Sequence, residues 1–106
     1  MDEAVTRWAF VTNHARVLVA IARDPAVRIR DIAAACGITE RTVLRVVADL
    51  EEGGYLSRER RGLRTHYTVH LDGMLRHPAD GHVSVRTLVS LLSDQESCNG
   101  VARLRY

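Results

Sequence analysis

The chain has 106 residues, of which 46% are hydrophobic and 26% are charged, and its formal net charge is +2. This length allows one globular domain with a modest core, and no apolar run is long enough to span a membrane. A net charge this small does not by itself indicate a nucleic-acid partner, so any basic binding surface must be local. No leader of charged and then apolar residues opens the chain, and a cytoplasmic protein is therefore expected.

The first predicted element is an amphipathic helix from about Ala4 to Arg23. Its apolar residues, which include Trp8 and Leu18, recur at intervals of three and four. Asp24 ends this helix, because the residue before a proline is disfavoured in the helical region. The β-branched segment 27–29 then predicts one short strand that pairs with a later hairpin.

Residues 30–53 predict two helices that meet at a glycine turn. A short helix from about Asp31 to Cys36 is followed by Gly37, which can adopt the positive φ that such a turn needs. Thr39 is placed to cap the second helix, which is predicted to run to about Glu52 and to end in a left-handed Gly53-Gly54 pair. The predicted buried stripe of the second helix contains Val43, Val46, Val47 and Leu50.

The outward face of the second helix is basic in its N-terminal half. With Val43 in the core, 100° per residue places Arg41 and Arg45 on the solvent side. Helices of this type present their N-terminal half to the major groove, where arginine can donate two hydrogen bonds to guanine. The alternative is an ordinary solvated face. The candidate DNA-binding residues of this unit are Arg30, Thr39, Arg41, Thr42 and Arg45.

An arginine-rich hairpin, the wing (residues 55–71), follows directly. Two strands, Tyr55 to Arg60 and Arg64 to Leu71, are predicted around a turn at 61–63, and residues 57–64 carry four arginines and one glutamate. Such a tip suits the phosphate backbone or a narrow minor groove. Charged hairpins also protect exposed strand edges, which is the alternative. The candidate DNA-binding residues of the wing are Arg60, Arg61, Arg64 and His66.

The C-terminal part predicts a loop over 72–83 and a last helix over 84–96, capped by Ser84. Apolar residues at 85, 88, 89 and 92 form a stripe, and Leu91 lies outside it. This helix has more apolar surface than one packing contact needs, so a partner subunit is expected to cover it. One domain is therefore predicted over 1–96, followed by a flexible tail over 97–106.

Residues 8–92 resemble the small winged-helix regulators of the MarR and ArsR superfamily. The resemblance rests on Ile32-Ala33, Gly37-Ile38-Thr39, Val43, the segment 50–56 and the Arg-Gly hairpin that ends in Tyr67-Thr-Val. The predicted fold is α+β, mainly α: a winged helix-turn-helix with a C-terminal helix. The resemblance implies a cytoplasmic homodimer, joined through its first and C-terminal helices, that binds inverted repeats in double-stranded DNA. Regulators of this kind are often released by a small-molecule, metal or oxidant effector, which the sequence does not identify.

Other functions have weaker support in the sequence. No nucleophile elbow, phosphate-binding loop or paired-carboxylate motif is present, so an enzyme and a cofactor are not expected. Cys36 is interpreted as a buried thiol, with a redox pair with Cys98 as the alternative. A winged helix that binds only proteins is the alternative to DNA binding. A metal site is not predicted, although the loop gathers His70, Asp72, His77, Asp80 and His82, which could ligate zinc.

Overall fold

The structure, a computed structural model, describes residues 9–93. Within this range three helices are followed by a two-stranded antiparallel hairpin and a fourth helix, which confirms the predicted mainly helical winged-helix fold. None of the helices in residues 9–93 combines the length and the apolarity needed to cross a membrane. The elements are α1 (Asn13–Arg23), α2 (Ile29–Cys36), α3 (Glu40–Glu52), β1 (Leu56–Arg61), β2 (Arg64–Val69), a 3-10 turn (Pro78–Asp80) and α4 (Val85–Ser93).

The core lies where α1, α2 and α3 meet. Ile21 of α1, Ile32 of α2 and Val43 of α3 are each fully buried. Burying one such side chain contributes about 1.5–3 kcal/mol relative to leaving it in water. The hairpin adds Leu56 and Tyr67 to the same cluster. The predicted buried stripe of α3 is confirmed at all four positions: Val43, Val46, Val47 and Leu50.

The first helix of the described residues begins later than the periodicity indicated for this part of the chain. Residues 9–12 are not helical, so the predicted continuous helix from about Ala4 is wrong at least over this stretch. Thr12 has extended backbone angles and its side chain accepts a hydrogen bond from the Ala15 N–H at 3.2 Å. A threonine cap satisfies a helix-end donor and so starts a new helix at this point. The predicted helical residues before residue 9, Trp8 included, lie outside the described residues.

The predicted strand at 27–29 is also wrong. Arg28 is the N-cap of α2 and its carbonyl accepts from Asp31 and Ile32, so Ile29 is already helical. Three β-branched or extended residues cannot compete with a helix whose first turn carries a favourable acidic residue. The predicted pairing of 27–29 with the hairpin is not formed in the described residues, and the hairpin instead bonds to the preceding turn, where the Tyr67 N–H donates to the Pro25 carbonyl at 2.9 Å.

The hairpin and the last helix match their predictions closely. Leu56 pairs with Val69 and Arg61 with Arg64, and Gly62 takes a positive φ in the two-residue loop between the strands. Ser84 caps α4 as predicted, because its hydroxyl accepts from the Thr87 N–H at 3.1 Å. The predicted helical residues 94–96, and the tail that follows them, lie outside the described range.

Candidate nucleic-acid interface

The orientation of α3 is set by the turn that precedes it. Gly37 adopts φ 71°, a left-handed conformation that side chains other than glycine rarely take. Thr39 then caps α3, because its hydroxyl accepts from the Thr42 N–H at 3.1 Å. The two threonine hydroxyls also lie 2.9 Å apart. The hydroxyl groups of both threonines, which were predicted to contact DNA, are therefore already hydrogen-bonded at the start of the helix. Thr42 is also only half-exposed.

Arg41 and Arg45 lie on the exposed face of α3, opposite the buried Val43. Within residues 9–93, no hydrogen bond or ion pair joins either guanidinium to another residue. Arg30, in the first turn of α2, is also exposed and likewise forms no hydrogen bond or ion pair with another residue in that range. The sequence-predicted cations of the helix-turn-helix are therefore available to a ligand.

The acidic residues of α3 are partly neutralised by neighbouring elements. Asp49 accepts from His14 of α1 at 2.9 Å, and Glu51 pairs with Arg58 of β1 at 3.0 Å. Glu40 lies in the first turn, where its negative charge interacts favourably with the positive end of the helix dipole. The exposed side of the N-terminal half thus carries the two arginines together with Glu40. In the C-terminal half, Asp49 contacts α1 and Glu51 contacts the wing, whereas Glu52 is exposed.

The wing arginines are exposed, but each also makes a contact within the protein. Arg60 Nε donates to the Gly62 carbonyl at 3.2 Å, and Arg61 pairs with Glu59 at 3.3 Å. Arg64 donates to the Ala26 carbonyl at 2.5 Å, which joins the wing to the turn after α1. A guanidinium has five N–H donors, so all three side chains keep donors for a further ligand.

His66 is less accessible than the wing arginines. It is half-buried and lies opposite Glu59 in the strand register. The neighbouring Tyr67 is buried, and burial raises the pKa of its hydroxyl group, with the charge of Arg58 opposing that effect. The structure therefore makes His66 a weaker candidate contact than the arginines at the tip.

Two residues of this surface, Arg58 of the wing and Leu44 of α3, were not among the residues predicted from the sequence. Arg58 was counted only in the charge of the wing, and its ion pair with Glu51 reaches across to α3. Leu44 of α3 is exposed beside Arg45, although a leucine would be expected to pack inward. The signal for Leu44 was present in the sequence, because 100° per residue places it away from the buried stripe.

The histidine-rich loop does not converge on a metal. Among residues 9–93, no three histidine, cysteine, aspartate or glutamate side chains form a group that could hold one. His70 instead bonds to the Ser57 hydroxyl at 2.7 Å, and Asp72 pairs with Arg86. His77 caps the 3-10 turn by accepting from the Ala79 N–H.

Cys36 is a partly buried free thiol at the end of α2. Burial raises the pKa of this thiol, and the nearby charge of Arg16 only partly offsets the effect. A raised pKa lowers the thiolate fraction and with it the reactivity toward oxidants. The predicted role as a small apolar residue fits this environment, while Cys98, its possible redox partner, lies outside the described residues.

A cleft of about 820 Å³ lies between α1, the end of α3 and the 75–80 loop. Phe10 is part of its lining. The charged side chains that line the cleft are one arginine, Arg76, and three carboxylates, Asp49, Glu52 and Asp80. The charged lining of the cleft is therefore predominantly acidic.

Comparisons with known proteins agree with this architecture. The sequence model of the MarR family matches residues 11–63, which is half of the chain. No curated protein sequence matches the chain significantly.

Three similar solved structures are regulators from bacteria. A variant of MepR from Staphylococcus aureus superposes with a TM-score of 0.54 at 17% identity, covering 91% of this chain and 68% of that one. PcaV from Streptomyces coelicolor, in complex with its natural ligand, gives 0.52 at 20% identity, covering 88% and 72%. A second MepR variant, bound to an oligodeoxyribonucleotide, gives 0.52 at 17% identity, covering 82% and 61%. At these identities the likeness establishes the winged-helix fold.

Proposed function

The chain belongs to the MarR family of DNA-binding transcription regulators, which are not enzymes. On this basis we propose that it is a homodimer that binds a near-palindromic operator. In each subunit α3 enters the major groove, and the wing contacts the phosphate backbone or the adjacent minor groove. The DNA-bound MepR variant gives this proposal a precedent within the same fold. The family does not supply the operator sequence or the effector.

The observation that carries the proposal is the pair Arg41 and Arg45. Both are exposed in the N-terminal half of α3, and neither forms a hydrogen bond or ion pair with another residue in 9–93. A guanidinium can donate to O6 and N7 of one guanine, which contributes roughly 1–3 kcal/mol of discrimination against other bases. Thr39 and Thr42 lie at the same end of the helix, where a phosphate would also approach the helix N-terminus.

The wing supplies the sequence-independent part of the affinity in this proposal. Arg60, Arg61 and Arg64 lie at its tip and retain N–H donors for phosphate oxygens. Arg30 lies at the start of α2 and adds a further phosphate contact, and His66 is assigned a minor one. Contacts of this type release counterions, so the affinity should fall as salt rises.

The dimer is proposed from the surface of α4. Only Val85 of this helix is fully buried, and Leu91 is 71% exposed. A second subunit would cover this surface together with the first helix. Two α3 helices related by a two-fold axis would then lie about one helical turn of DNA apart, roughly 34 Å.

The test is fluorescence anisotropy of the purified protein on a duplex from upstream of its own gene, against a scrambled duplex, at two salt concentrations. Tighter binding to the native duplex, weakened by salt, is expected. If neither duplex binds at low salt, and a duplex library of random sequence yields no enriched site, the protein-interaction module becomes the better interpretation. The net charge of only +2 favours keeping that alternative in view, because it gives the chain little general attraction to DNA.

A further inference from the structure

The exposed face of α3 carries an apolar side chain among its arginines. Leu44 is 51% exposed and is not among the described side chains packed against the core. It lies next to Arg45 in sequence and one turn after Arg41. Ala48 is exposed one turn further on and extends the same apolar surface. Two arginines and an apolar patch formed by Leu44 and Ala48 therefore share the surface that the proposed function places against DNA.

The exposure of Leu44 is informative because this residue lies on the surface that is proposed to face DNA. A single exposed leucine on an ordinary surface needs no explanation. In the major groove, however, base edges present hydrogen-bond donors and acceptors, and the apolar group among them is the C5-methyl of thymine. We propose that Leu44, with Ala48 beside it, contacts a thymine methyl and so specifies a thymine in each half-site. This inference rests on the proposed function and adds a second base to it.

The helix geometry restricts where that thymine lies. Arg41 and Leu44 are separated by about 4.5 Å along the axis, at 1.5 Å per residue, which is close to one base-pair step. Leu44 precedes Glu51 by two helical turns and so lies on nearly the same side of α3. Glu51 pairs with Arg58 of the wing at 3.0 Å. The thymine should therefore lie within about two base pairs of the guanine, on the side that faces the wing.

The test removes only the methyl group. The probe is the duplex that the wild-type protein enriches most strongly from a random library, with each thymine in turn replaced by deoxyuridine. For one thymine per half-site we expect the dissociation constant to rise about fourfold, the equivalent of about 0.8 kcal/mol for one methyl removed from water. Leu44→Ala should bind the thymine and deoxyuridine forms of that site equally well.

Two control variants separate this contact from a general loss of binding. Leu44→Met keeps an apolar side chain and should keep most of the thymine preference. Leu63→Ala removes a leucine that is 92% exposed at the wing tip, and should leave the preference at that thymine unchanged, whatever its effect on total affinity. Circular dichroism confirms that each variant is folded, which is expected because neither leucine is part of the core.

The outcomes distinguish this inference from the proposed function. Equal binding of wild-type protein to the thymine and deoxyuridine forms at every position, with a specific site still selected, would overturn the role of Leu44 alone. The same conclusion follows if Leu44→Ala retains the full preference. Failure to enrich any site would overturn the proposed function and this inference together.

Discussion

Replacing Arg41 with alanine should separate base recognition from both stability and general DNA affinity. The side chain forms no hydrogen bond or ion pair within residues 9–93, and alanine is the best helix former, so the free energy of unfolding should stay within about 0.5 kcal/mol. Loss of a two-bond contact to guanine costs about 1–3 kcal/mol, which is a 5- to 150-fold weaker affinity for the selected operator. Affinity for a random duplex should fall far less.

The assay is anisotropy on the selected and random duplexes at several salt concentrations, together with thermal unfolding. Arg64→Ala is the matched control, because its guanidinium bonds to Ala26 and is proposed to contact phosphate. It should lower stability by about 0.5–1.5 kcal/mol, weaken both duplexes alike and reduce the slope of affinity against salt. An equal loss on both duplexes for Arg41→Ala would refute base recognition by this residue.

Further results are expected at four residues. Thr39→Ala should cost about 0.5–2 kcal/mol by urea unfolding, because the α3 cap is lost. Gly54→Ala should cost about 1–2 kcal/mol in the same assay, since its φ is 83°. Ile32→Ala should cost about 2–5 kcal/mol because this side chain is fully buried. In a variant without the second cysteine, Cys36 should react with iodoacetamide more slowly in the native than in the unfolded chain, because burial raises its pKa. For the same reason stability should be constant below the unfolded pKa and should fall as pH rises through the folded one. Equal alkylation rates would contradict this burial argument.

The parts of the fold that could be predicted from sequence are those with a local cause. Gly37 and Thr39 mark the turn and the cap of α3, and both bond to residues within four positions. The end of α3 was predicted to be left-handed at the glycine pair, and it is Gly54, with φ 83°, that takes this conformation, whereas Gly53 stays in the right-handed region. The start of α1 was missed because the apolar period continues through Thr12, where the cap interrupts it.

The candidate interface was predictable in composition but less so in its contacts. The arginines of α3 follow from helical spacing alone. The contact of Arg64 with Ala26 joins residues 38 positions apart, and no local pattern encodes such a pair. Leu44 was missed because charge was used to choose the outward residues, so an apolar side chain on that face received no weight.

The attachment of the wing has a consequence for operator architecture. The hairpin is held to α3 by Arg58 and Glu51, and to the α1–α2 turn by Tyr67 and Arg64. In the proposed complex, each subunit would therefore contact the DNA at two points, α3 and the wing, a fixed distance apart. One extra base pair inside that interval would displace the second point by about 3.4 Å and rotate it by about 35°, which a tethered hairpin cannot follow. The length of each half-site should therefore be constant among operators, and any tolerated variation in length should fall at the dyad, between the two subunits.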